Sequence, residues 1–288
     1  MSNNLLAWNT LSYIWSHPNC KSQRIPSISR FIGWQFYKRL THRTVELQLL
    51  SNVKMRCQPD SRSAASVLYC GLYDYDEMNF LLRYLRDEDS FLDIGANVGV
   101  YTLLAASKIR SGWIYSFEAL PKNYQRLQEN LKLNELEQVQ TYACAISNSI
   151  GSIDLSLSDG DSTPSIIKSE EDRNVTTVSS NTLDNLLDNC PLKLTLAKMD
   201  IEGAELLALK GATSLLEKKC PQVWIMEILG IGSTKLVNFL NSYGYNLYQY
   251  SADTNKISPI SLEQKRGNNV LAIANTAIDF VRDRLVRA

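Results

Sequence analysis

Three short apolar runs alternate with stretches of helical period, and that alternation limits the folds open to this chain. SFLDI (90–94), GWIYSFEA (112–119) and VQTYACAI (139–146) have the length and composition of buried strands. Between them lie NVGVYTLLAASKI, with Val100, Leu103, Leu104 and Ala106 spaced for burial on one face, and PKNYQRLQENLKL, with Pro121 in its opening turn. Strand, helix, strand, helix, strand predicts a parallel sheet with right-handed crossovers.

The alternation resumes downstream. LTLAKMDI (194–201), QVWIMEI (222–228), YNLYQY (245–250) and NNVLAIA (268–274) read as strands, the last two as an antiparallel edge because no helical segment parts them. AELLALKGATSLLEK reads as helices broken near Gly211, and STKLVNFLNSYG as one more. DYDEMNFLLRYLR (74–86) is a helix ahead of the first strand. GSIDLSLSDGDSTPSIIKS (151–169) alternates apolar and polar residues around a turn, which suggests a hairpin-like insertion.

Residues 1–68 are expected to form a helical N-terminal extension and residues 69–288 the main domain. Met1 to Thr44 contains no acidic residue but six basic ones, interleaved with Trp8, Trp15 and Trp34. Peripheral contact with a membrane surface is one interpretation. The preferred one is a helical segment whose aromatics pack on the main domain.

Composition removes several classes. Lysine plus arginine equals aspartate plus glutamate, 30 against 30, so nothing suggests a dedicated nucleic-acid binder. The six cysteines form no CxxC pair and only His17 and His42 could join them, so reduced thiols are expected rather than a structural zinc, with both histidines belonging to the extension. No apolar run approaches membrane-spanning length, and the N-terminus is a poor signal peptide, so a cytoplasmic protein is expected.

The turn after the first strand, FLDIGANVGVYT, carries the chemistry. It has the form D-x-G-x-N-x-G, with Asp93, Gly95, Asn97 and Gly99, and leads into Tyr101 and Thr102. It is not the G-x-G-x-x-G that cradles a pyrophosphate. Asp93 is a poor neighbour for a phosphate and a good one for an ammonium. Glu118 ends the next strand, placed to bind both hydroxyls of a ribose. Ala119, Leu120, Ala145 and Ile146 offer apolar walls for an adenine. S-adenosylmethionine, with an ammonium, a sulfonium and no phosphate, fits this set. Taken singly, Asp93 is also a loop cap, the glycines turn residues, and Glu118 an ordinary strand end.

FLDIGANVGVYTLLAA, SFEALPKNYQRLQENLKLN, NTLDNLL and LAKMDIEGAELLALKGA, in that order, resemble the FkbM family of S-adenosylmethionine-dependent methyltransferases. The resemblance covers about residues 69–274, and HPNCKSQRIPSISRFIGWQFYKRL resembles an extension found in part of that family. It implies a seven-stranded, Rossmann-like class I methyltransferase sheet with helices on both faces. It also implies O-methylation of a sugar, lipid-linked glycan or natural product.

In that topology MDIEGAE (199–205) faces the transferring methyl group. Asp200 is the first candidate for general base or substrate orienter, and Glu202 the second; Glu205 suits a helix N-terminus. Paired acids could hold a divalent cation, but the sequence shows no third ligand, so no metal is expected. Asp161, Ser162 and Ser165 are candidates for binding a polyol, Glu227 for lining the pocket, and Tyr73 and Glu77 for covering the cofactor. An NAD-dependent oxidoreductase fits less well, since the turn departs from the dinucleotide fingerprint. A non-catalytic scaffold in glycan assembly is the remaining alternative.

Overall fold

The computed structural model describes residues 2–157, 164–166, 175–188, 194–228, 232–265 and 267–287. The N-terminal extension holds α1 (Ser2–Ser16), α2 (Arg24–Thr41), the strands β1 (Val45–Leu50) and β2 (Val53–Cys57), and α3 (Arg62–Cys70). It is therefore not wholly helical: VELQLL and VKMRC pair as an antiparallel hairpin. That hairpin is tied down by amide side chains, because the Arg56 and Lys54 N–H groups donate to Asn130 and Asn134 Oδ1, each at 2.8 Å.

Next come α4 (Tyr75–Tyr84), β3 (Ser90–Ile94), α5 (Val100–Ala106), β4 (Ile114–Phe117), α6 (Pro121–Leu133) and β5 (Val139–Tyr142). VQTYACAI does not stay one strand. Its second half becomes β6 (Ala145–Ile146), which leaves the main sheet and joins β7 (Gly151–Leu157), β8 (Pro164–Ile166) and β9 (Val175–Asn181) in a small four-stranded sheet, the expected insertion. The chain continues through α7 (Leu183–Leu187), β10 (Leu194–Met199), α8 (Glu205–Lys210), α9 (Thr213–Glu217), β11 (Val223–Glu227) and α10 (Ser233–Ser242). It closes with β12 (Tyr245–Ser251), β13 (Lys256–Pro259), β14 (Asn269–Ala274) and α11 (Ile278–Val286).

The main sheet has the order β13-β12-β14-β11-β10-β3-β4-β5. From β11 to β5 neighbouring strands run parallel, while β14 is antiparallel to β11 and β12. Seven strands were expected. The eighth, β13, is a short edge strand paired with β12 that carries only four residues and little apolar signal.

Every residue of β3 and β10 is buried, so both faces of the sheet are covered there. Chain order runs outward in opposite directions from the β3–β10 pair. That reversal opens a crevice at the carboxyl ends of the strands, where open α/β sheets bind ligands. The extension shares the same core through Ile14, Phe31 and Trp34. Among the described residues, no helix is long and apolar enough to cross a membrane.

Candidate active site

A cleft of about 1100 Å³, open mouth included, lies at this crevice. Its floor is the turn after β3. Gly95 has φ +81°, and a Cβ there would lie 2.1 Å from the Asp200 carbonyl oxygen, so the turn and the loop after β10 meet at a distance only glycine permits. Asn97 also adopts a positive φ, 53°. The Gly95 and Ala96 N–H groups both donate to the Phe117 carbonyl, and the Asp200 N–H to that of Ile94, which locks the three strand ends together.

Asp93 is buried, and its Oδ2 accepts a 2.6 Å bond from Thr102 Oγ1. Burial raises its pKa to about 6, with the Thr102 bond opposing. Glu118 is held from both sides: Oε2 accepts from the Asn97 N–H and Oε1 from the Leu120 N–H, each at 2.8 Å. Burial nevertheless raises it to about 7. An apolar wall of Ala119, Ala145, Ile146, Ile153 and Leu155 faces these acids.

Of the residues expected to hold a cofactor, Asp93, Gly95, Asn97, Tyr101, Glu118, Ala119 and Ala145 line the cleft, and Gly99 and Thr102 do not. Gly99 caps α5 at φ +92°, where a Cβ would strike Leu127 at 2.6 Å, so it serves helix packing. Thr102 stands behind Asp93 and also bonds Ser116 Oγ at 2.7 Å. Both are support for the cleft rather than its surface.

On the opposite side the sequence hides the key residue. Lys198 is buried within β10, and its Nζ pairs with Asp200 Oδ2 at 3.0 Å. Burial alone would lower its pKa, but Asp200, Asp74 and Asp93 outweigh that and raise it. The ammonium also lies 5.1 Å from the centre of the Tyr101 ring. Tyr101 in turn donates to Asp74 Oδ2 at 2.8 Å. A lysine inside an apolar strand is an anomaly legible in LTLAKMDI, and it is the signal that could have revealed this residue.

Asp200 and Glu202 line the cleft, and Glu205 does not. Glu205 Oε1 accepts from the Ile201 and Gly203 N–H groups and caps its own loop. Glu227, at the end of β11, brings a third carboxylate beside Asp200 and Glu202, with oxygen atoms of the three within 4.8 Å of one another. The sequence shows no third ligand beside the paired acids; the pairing of β11 with β10 supplies one in Glu227, which stands behind the cleft rather than lining it as expected. The trio has the donor chemistry for a divalent cation, although Lys198 already neutralises Asp200. Burial, then repulsion from Asp200 and Glu202, raises Glu227 to about 7.

Tyr73 lines the cleft from above β3, its carbonyl accepting bonds from Tyr13 Oη and His17 Nε2 in the extension. Glu77 lies outside the lining, raised to about 7 first by burial and then by Asp74. His17, Cys20 and Cys70 cluster, but both ring nitrogens of His17 are engaged, with the Tyr73 carbonyl and the Asn19 N–H. Asp161 and Ser162 lie outside the described residues, as does the side chain of Ser165.

The main sheet has the strand order of class I methyltransferases, with one edge strand added. The methyltransferase FkbM domain profile matches residues 93–247, more than half of the chain, and the chain belongs to that family. Hexuronic acid methyltransferase AglP of Haloferax volcanii is 28% identical over 150 residues, 50% of this chain and 58% of that protein. Methyltransferase 1 of Beauveria bassiana is 26% identical over 146 residues, 43% of this chain and 59% of that protein. The chain spans less than two thirds of the length of either relative. An rRNA methylase of Streptococcus thermophilus superposes with a TM-score of 0.42 at 13% identity, over 68% of this chain and 91% of that one.

Proposed function

We propose that this protein binds S-adenosylmethionine in the cleft and methylates a sugar hydroxyl. The observation that carries the reading is the charge of the lining. Among the described residues, Asp93, Glu118, Asp200 and Glu202 face one ammonium, that of Lys198, so the lining favours a cationic ligand over a phosphate. The close approach at Gly95 fixes the donor turn against the loop that carries Asp200, so both halves of the cleft are held at one distance.

Bound there, S-adenosylmethionine supplies a methyl group made electrophilic by its sulfonium. Asp93, fixed by Thr102, would hold the ammonium, and Glu118, fixed by two backbone amides, the ribose hydroxyls. The apolar wall from Ala119 to Leu155 suits an adenine. Asp200 has a side chain 40% exposed at the cleft, where it would orient the acceptor hydroxyl and accept its proton. Lys198 holds Asp200 in one position. Glu227, titrating near neutrality beside it, suits a relay that passes the proton onward.

The sugar acceptor rests on the name of the Haloferax volcanii relative, a hexuronic acid methyltransferase. The test is incubation of the full chain with S-adenosylmethionine and a panel of hexose and hexuronic acid glycosides. S-adenosylhomocysteine should accumulate only with an acceptor present, and NMR should show a methyl ether. A methylated nitrogen or carbon, or no turnover with any glycoside, would contradict the sugar reading.

A further inference from the structure

α2 is apolar on two opposite faces. Ser27, Phe31 and Trp34 are buried against the rest of the protein. On the far side, Ile25 is 75% exposed, Ile32 45%, Phe36 64% and Leu40 81%. Spacings of seven, four and four residues put these four on one stripe of the helix. Trp8 and Trp15, one heptad apart on α1, are 71% and 52% exposed. A surface helix with one partner needs only one apolar face, so the second points to something outside the chain.

The charge around this stripe indicates what that is. No acidic residue occurs before Glu46, and Lys21, Arg39 and Arg43 are exposed at and beyond the ends of the stripe. The chain as a whole is neutral, so the basic field is local. A second copy seated face to face would set like charges against each other. A negatively charged bilayer surface satisfies both halves at once: acyl chains for the apolar stripe and tryptophans, headgroups for the cations.

We propose that the outer face of α2, with the exposed tryptophans of α1, docks the protein on an anionic lipid surface. The inference is independent of the methyl acceptor. The helix lies in the interface and does not span it.

The test is flotation of the full chain with vesicles of one part phosphatidylglycerol to two parts phosphatidylcholine, and with phosphatidylcholine alone. Binding should require the anionic lipid and weaken as salt is added. Lys21→Glu, Arg39→Glu and Arg43→Glu should each lower partitioning about fivefold or more. Phe36→Glu should lower it at least as much, and these exposed substitutions should leave the thermal midpoint unchanged. No flotation, or equal flotation with both vesicles, would overturn the proposal. So would a dimer in solution that Phe36→Glu dissociates, which would assign the face to a second copy.

Discussion

At Asp93 and Glu118 the carboxylates are already bound, by Thr102 on one side and by the Asn97 and Leu120 amides on the other. Both are buried at the ends of fully buried strands. Across the cleft, Asp200 is held by Lys198 but remains 40% exposed, and its neighbours come from a loop and from a different strand. The first region is preorganised by the sheet, as a site for one invariant ligand can be. The second is assembled from the ends of separate elements. A shared donor and a variable acceptor would divide the cleft in this way.

The sharpest way to break that contrast is Gly95→Ala. The added methyl has no room against the Asp200 carbonyl, and the positive φ adds strain. A loss of about 3 kcal/mol or more in stability and no measurable donor binding are expected, by denaturant melts and calorimetry. Retention of both would show that the two loops are not locked together.

Asp93→Ala and Asp200→Asn should separate the two halves. The first should lower donor affinity about 100-fold while the fold survives. The second should leave donor affinity within about threefold and slow turnover about 100-fold. A large affinity loss in Asp200→Asn would place that residue in the donor half.

The pH dependence sharpens the donor half further. Burial raises Asp93 to about 6 and Glu118 to about 7, above the ordinary carboxylate range. Groups raised in this way stabilise the ligand-free fold most at low pH, and that contribution is lost as pH rises through 6 to 7. A cationic ligand favours their ionised forms. Donor affinity should therefore climb about tenfold between mildly acidic and mildly alkaline buffer, while these two groups lower the thermal midpoint of the ligand-free protein. Flat affinity across that range would detach both acids from the ligand.

The smallest effect belongs to Thr102→Val. Thr102 acts through Asp93, so donor affinity should fall only about fivefold. A loss as large as that of Asp93→Ala would mean that Thr102 meets the ligand itself.

The same division explains what the sequence disclosed. D-x-G-x-N-x-G and Glu118 lie within one strand–helix–strand unit, where local period and turn chemistry fix the geometry. The β1–β2 hairpin is itself legible, since VELQLL and VKMRC alternate apolar and polar residues about Ser51 and Asn52, and it corrects the expectation of a helical extension. Glu227 could not be placed beside Asp200 without knowing that β11 pairs with β10 in register. Lys198 shows in LTLAKMDI as a lysine inside an apolar strand, but the acids that pair with it, Asp74, Asp93 and Asp200, are gathered only by the fold. Gly99 and Thr102 sit in the motif beside the ligand contacts, and adjacency there does not reveal which way a residue points.

Titration calorimetry of the full chain with S-adenosylmethionine, S-adenosylhomocysteine and NAD, repeated with Asp93→Ala, tests the central claim most directly. The account predicts saturable binding of the first two, none of NAD, and loss of binding in the variant. Undiminished binding in Asp93→Ala, or no binding of either sulfur compound by the native chain, would contradict it.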